Sequence, residues 1–156
     1  MISVKEKVNY IKSELRNYNF HIKEVIELDE QIEMYNVRLQ GVSSPNGNTN
    51  EKTSGTGTHP SQIEIMCKRD EFIKKREIAM YHVQLVDNTL AKIDNPIDTQ
   101  MIRDMFIDKK HYLMLIEKYN YSSQQAFSKH IDSVLKKINV NGCNTTTLKC
   151  YNSNVK

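Results

Sequence analysis

"HYLMLIEKYNYSSQQAFSKHIDSVLKKI" runs from His111 to Ile138, and its reading decides what kind of helical protein this is. Two apolar-patterned segments flank the short polar break "NYSS" (120–123). In the first, Leu113, Leu115 and Ile116 supply an inner side, with Tyr119 at its end. In the second, Ala126 or Phe127, then Ile131, Val134, Leu135 and Ile138 recur at helical spacing. Asn120 tolerates the left-handed backbone that a tight turn demands. Ser122 or Ser123 can cap the second helix by accepting a bond from one of its free N–H groups. The pattern predicts two helices joined by a turn, with Gln124, Gln125, Ser128, Lys129, Asp132 and Lys136 directed outward on the second.

Those outward residue types suit contact with double-stranded DNA. Glutamine pairs with the N6/N7 edge of adenine, and lysine with guanine O6/N7 or a phosphate. Serine reaches base or backbone, so Ser123 and Ser128 join the set. Asp132 repels phosphate but accepts from cytosine N4. Lys109, Lys110 and Lys118, around the first helix, are spaced to hold the sugar–phosphate chain without reading sequence. The plainer reading is a hairpin of two amphipathic helices whose polar face is solvated. Ile116 stands where a helix-turn-helix commonly carries a small residue, and the turn counts one residue longer than usual.

Upstream, "IDNPIDTQMIRDMFIDKK" (93–110) predicts one more helix. Pro96 disfavours a helical Asn95 and so ends the preceding element. Asp98 or Thr99 falls in the new first turn, where a carboxylate suits the helix dipole. Ile97, Met101, Ile102, Met105 and Phe106 are spaced for one buried face, and "DKK" (108–110) closes the helix.

Further upstream the pattern lengthens. Val4, Val8, Ile11, Leu15, Tyr18, Ile22, Val25, Ile32 and Leu39 follow the 4-3 spacing of a coiled-coil seam, which Asp29 and Asn36 interrupt. Ile65/Met66, Phe72/Ile73, Ala79/Met80, Val83, Val86, Leu90 and Ile93 mark a second long helix, interrupted by Arg69 and Arg76. "KRDEFIKKRE" (68–77) mixes both signs at i,i+3 and i,i+4 spacing, as a solvated face does. Cys67, beside the seam, reads as a small core residue. Between the helices, 41–60 holds four of the five glycines and two of the three prolines. That composition predicts a mobile linker, long enough for the second helix to fold back on the first.

The expected architecture is therefore all-α. A long antiparallel coiled-coil hairpin (1–40 and 61–95, joined by the linker 41–60) precedes a three-helix helix-turn-helix domain (96–138). An Asn/Thr-rich tail (139–156) is expected to be disordered.

Composition excludes several classes. No window approaches the roughly 18 continuous apolar residues of a membrane span. The N-terminus has no uninterrupted apolar core, so it is not a secretory signal, and the expected location is cytoplasmic. Three cysteines do not make a disulfide scaffold. Cys143 and Cys150 lie in the tail, and the Asn144 sequon carries no meaning in a cytoplasmic chain. His21 and His82 read as isolated histidines without a second ligand at i+4, so neither a metal nor a cofactor is expected. No Walker A, H-E-x-x-H or nucleophile-elbow pattern occurs, so the chain does not read as an enzyme. Net charge is +3. Residues 1–95 carry 13 Lys/Arg against 14 Asp/Glu, and residues 96–156 carry 9 against 5. The cationic excess thus lies in the C-terminal part, which also contains the bihelical stretch, as phosphate binding requires.

"IDNPIDTQMIRDMFIDKKHYLMLIEKYNYSSQQAFSKHIDSVLKKI" (93–138) resembles the sigma-factor region-4 type helix-turn-helix of small phage transcriptional regulators of the ArpU and RinA kind. Residues 1–95 match the layout of such proteins only in having long helices and a Gly/Ser/Pro-rich break. The resemblance implies a phage or prophage protein in the cytoplasm of a bacterial host. It would bind promoter DNA and activate late or packaging genes, with host RNA polymerase as a partner. Gln124, Gln125, Ser128 and Lys129 would read bases, and the hairpin would supply a homodimer contact. Two alternatives stand beside this: a small DNA-packaging subunit, and a helical adaptor that binds only protein.

Overall fold

A computed structural model describes residues 2–41 and 61–138. The linker expected beyond Gly41 and the tail expected after Ile138, with Cys143, Cys150 and Asn144, lie outside the described residues. The described residues contain helices and no strand. In chain order these are α1 (Val4–Gly41), α2 (Gln62–Ala91), α3 (Pro96–Ile102), a π-helical turn (Arg103–Ile107), α4 (Tyr112–Tyr119) and α5 (Gln124–Lys137).

Both long helices start with the same device. In "SVKE" (3–6), Ser3 Oγ accepts from the Glu6 N–H at 3.2 Å and Glu6 Oε2 accepts from the Ser3 N–H at 2.7 Å. "SQIE" (61–64) repeats it, at 3.3 and 3.0 Å. Each is a reciprocal capping box that satisfies two of the N–H groups a helix start leaves without partners. These bonds to Ser3 hold the Glu6 carboxyl below its ordinary pKa.

The chain forms two compact units. One comprises residues 18–84 and contains the greater part of α1 and α2. The helices pair antiparallel here: His21 meets His82, Asp29 meets Arg76 and Tyr35 meets Phe72. Val25, Leu28, Ile65, Ala79 and Val83 form its buried seam. The seam departs from the expected one at Leu28, which is buried, while Asp29 is exposed. Passing through Val25, Leu28, Ile32, Tyr35 and Leu39, it keeps a 3-4 spacing and leaves Asp29 and Asn36 at its flank. Rotating α1 by one position buries a leucine in place of an aspartate, which is the cheaper choice, while Tyr35 and Asn36 are both half-buried. The two expected interruptions then find each other: the Arg76 guanidinium donates to the Asp29 carboxylate from Nε and, at 3.5 Å, from Nη2. Asn36 and Arg69 line one open hollow beside Leu39, Gln62 and Met66. Cys67 is exposed, not a core residue, because it lies off the side of α2 that faces α1.

The second unit joins residues 2–17 to residues 85–138. Its core takes Val8, Ile11 and Leu15 from α1 and Val86 and Leu90 from α2. Met101, Ile102, Phe106 and Ile107 join them from α3 and the π turn, Leu115 from α4, and Phe127, Ile131, Val134 and Leu135 from α5. The bihelical stretch is thus built onto the ends of the long helices. The Arg16 guanidinium stacks 5.4 Å over the Phe106 ring, and Lys12 pairs with Asp132. Val4, expected in the seam, is 57% exposed in the first turn of α1. Ile97 and Leu113, expected inside, are also exposed. Each lies in the first turn of a short helix. At 100° per residue Leu113 sits about 110° off the centre of the face made by Leu115, Ile116 and Tyr119.

Candidate nucleic-acid interface

The candidate interface comprises α3, α4 and α5. Asn95 caps α3, its side-chain oxygen accepting from the Ile97 N–H at 2.9 Å, and Pro96 occupies the first helical position, where no N–H is needed. The helix then widens into the π turn, in which the Asp108 N–H reaches back to the Arg103 carbonyl at 2.9 Å. Lys109 takes the left-handed backbone (φ 51°), and the Lys110 N–H closes the end on the Asp104 carbonyl at 2.9 Å.

α4 ends as its sequence predicts. Asn120 adopts the left-handed conformation (φ 56°, ψ 43°), and the Tyr121 N–H returns to the Ile116 carbonyl at 3.0 Å. Ser123 is the residue that caps α5, its Oγ accepting from the Ala126 N–H at 3.2 Å. Between them Tyr121 packs edge-on to Phe127, ring centroids 5.2 Å apart, which holds the turn against the core. Burial, and then the nearby Asp98 charge, push the Tyr121 hydroxyl above its ordinary pKa. His130 Nε2 lies 2.7 Å from Asp98 Oδ1, so the middle of α5 is tied to the start of α3.

The sequence-derived contact residues separate into three groups. Gln124, Gln125, Lys129 and Lys136 are exposed on α5. Gln125, Lys129 and Lys136 share one stripe, spaced i, i+4, i+11, opposite the buried Phe127, Ile131, Val134 and Leu135. Among the described residues no ion pair engages Lys109, Lys129, Lys136 or the adjoining Lys137.

Ser128 and Asp132 are half-buried at the edge of that stripe. Asp132 faces α1. The Lys12 ammonium forms an ion pair with its Oδ1. This pair lowers the anionic character of the α5 face, and Lys12 is a residue whose role no local pattern could reveal, because it lies 120 positions away in sequence.

Lys110 and Lys118 converge on a single buried anion. Asp104 is completely buried. Its Oδ1 accepts from Lys110 Nζ at 2.9 Å and from Gln100 Nε2 at 2.8 Å. Its Oδ2 accepts from Lys118 Nζ at 2.7 Å and from the Tyr119 hydroxyl at 2.8 Å. Burial alone would raise the Asp104 pKa. The four donors, Lys110 and Lys118 foremost, outweigh it and hold the carboxyl far below the usual carboxylate range. The bond to Asp104 raises the Lys118 pKa. For the Tyr119 hydroxyl burial is the larger cause, and Asp104 adds to it. The two lysines keep partly exposed heads, yet their geometry is set from inside the protein. A signal for Asp104 was present in "MIRDMFI" (101–107), where a carboxylate stands three residues after Met101 on the apolar side.

No family model, curated protein or solved structure matches the chain.

Proposed function

We propose that the protein is a sequence-specific DNA-binding transcriptional regulator of a phage or prophage. α5 would enter the major groove, while α4 and the π turn would bear on the phosphate backbone. The observation that carries the reading is the pairing of a tight αL turn with a capped helix whose exposed stripe combines Gln125 with Lys129 and Lys136. Glutamine supplies a bidentate contact for a base edge, and the lysines supply cations. The similarity of 93–138 to region-4 helix-turn-helix domains adds the promoter setting, activation of late or packaging genes, and RNA polymerase as a partner. A homodimer through the hairpin belongs to the same reading.

Fluorescence anisotropy with labelled duplexes at low salt tests it. The expected result is binding whose log K falls linearly with log salt. Lys136→Ala should weaken all sequences alike and reduce that slope by about 1. Gln125→Ala should change the sequences recovered in a binding selection. Absence of binding to any duplex at low salt overturns the reading.

A second reading rests on Tyr112, Leu113 and Met114, three consecutive exposed apolar residues at the start of α4. They suit a protein partner. If the protein is an adaptor alone, duplex DNA leaves its melting temperature unchanged, because only a ligand of the native state stabilises it.

A further inference from the structure

The unit formed by residues 18–84 contains a grouping that spacing along the chain hides. His21 on α1 and His82 on α2 stack with ring centroids 4.5 Å apart and planes inclined by 10°. Both are half-buried. Behind His21, one helical turn on, Glu24 Oε2 lies 3.3 Å from the His21 Nδ1. Phe20 and Tyr81 stand edge-on to His21 and His82, centroids 5.4 and 5.7 Å away.

We propose that His21 and His82 bind a divalent transition-metal ion that bridges α1 and α2, with Glu24 positioning His21. A proton on His21 Nδ1, donated to Glu24, fixes the tautomer whose Nε2 carries the lone pair. A ring nitrogen of each histidine lies within 4.8 Å of the other. An ion held about 2.0–2.1 Å from both needs them roughly 3.3 Å apart at a tetrahedral angle, so on binding the rings leave their stack and turn toward one another. Two imidazoles favour zinc, nickel, cobalt or copper(II), whereas magnesium and calcium take oxygen ligands. The ion joins two helices that only packing and side-chain contacts otherwise hold together, so its binding stabilises the native hairpin. The competing account is that the rings form only a packing layer.

The test uses the full chain, reduced, with nickel chloride as the sole added ligand. Isothermal titration should show a saturable site of one ion per chain, and the melting temperature should rise with nickel. In NMR spectra the paramagnetic ion should broaden the ring signals of His21 and His82 before those of His59, His111 and His130. Glu24→Gln should weaken binding by about 10- to 100-fold, as loss of a partner behind a ligand does. The double variant His21→Asn, His82→Asn should lose the saturable step while far-UV circular dichroism retains its helical signal. Absence of saturable binding overturns the proposal. So does equal broadening of all five histidines, or a double variant that still binds, since the ion then sits elsewhere. The broadening pattern needs no substitution and decides the matter even if a variant fails to fold.

Discussion

Asp104 accepts from four side-chain donors, and substitutions there separate its charge from its shape. Asp104→Ala should cost about 3 kcal/mol, the lower end for breaking a buried charge pair, because the lysines left behind reach solvent. Chemical denaturation at neutral pH checks it. The pH dependence follows from the direction of the shift. A carboxylate whose folded pKa is depressed contributes stability that is complete above its unfolded value, about 3.9. That contribution is lost as pH falls through the folded value. The wild-type chain should therefore lose this part of its stability only below about pH 4, and Asp104→Asn should flatten that acid limb. Lys118 works in the opposite sense: its raised pKa contributes stability at neutral pH that disappears as pH rises through the alkaline range. At the turn, Asn120→Gly should be tolerated, since glycine accepts the left-handed backbone without strain. Asn120→Val should destabilise by about 1–2 kcal/mol, as read by thermal melts.

The elements differ in how much of their geometry is local. α5 needs its cap: Ser123→Ala should cost about 1 kcal/mol, measured by urea denaturation, with Ser123→Gly closer to wild type. The π turn is less local. A π turn holds one residue more than a regular α turn, and here that places the Asp104 carboxylate toward α4 while Met101, Ile102, Phe106 and Ile107 all stay buried. In the hairpin, Asp29 and Arg76 form an exposed pair, so removing either should change stability by no more than about 1 kcal/mol. Their fork-like pairing acts on register, because sliding α1 along α2 by one turn separates them. A double-mutant cycle on Asp29→Ala and Arg76→Ala measures the coupling.

At the scale of the molecule, the unit around α5 borrows the two ends of the long helices. Val8, Ile11 and Leu15 are as buried as the residues of α4 and α5. A fragment of residues 96–138 lacks them and should melt without a cooperative transition, whereas the full chain melts cooperatively; differential scanning calorimetry distinguishes the two. The same arrangement supplies Lys12 to Asp132. Lys12→Gln leaves that carboxylate without its cation beside the α5 stripe, and on the DNA-binding reading it should weaken binding, with Asp132→Asn restoring it.

Much of this was legible in sequence for stated reasons. The 3.6-residue period of α5 assigned Phe127, Ile131, Val134 and Leu135 to the inside, because periodic burial depends only on helix geometry. Asn120 and Ser123 were readable because turn and cap chemistry is local. The capping boxes at Ser3–Glu6 and Ser61–Glu64 were equally open to reading, since "SVKE" and "SQIE" carry both partners. What local pattern could not decide was pairing. The 4-3 spacing of α1 was compatible with two adjacent seams, and only packing against α2 selected Leu28 over Asp29. The sharing of Asp104 by Lys110 and Lys118, the Lys12–Asp132 contact and the stacking of His21 on His82 all join residues from different elements. The amino-acid sequence by itself determined the helices, their ends and the inner face of α5, because those depend on neighbours within one or two turns. Tertiary structure alone decided which charges and histidines meet, because such contacts depend on the relative placement of helices, which burial of the shared core sets.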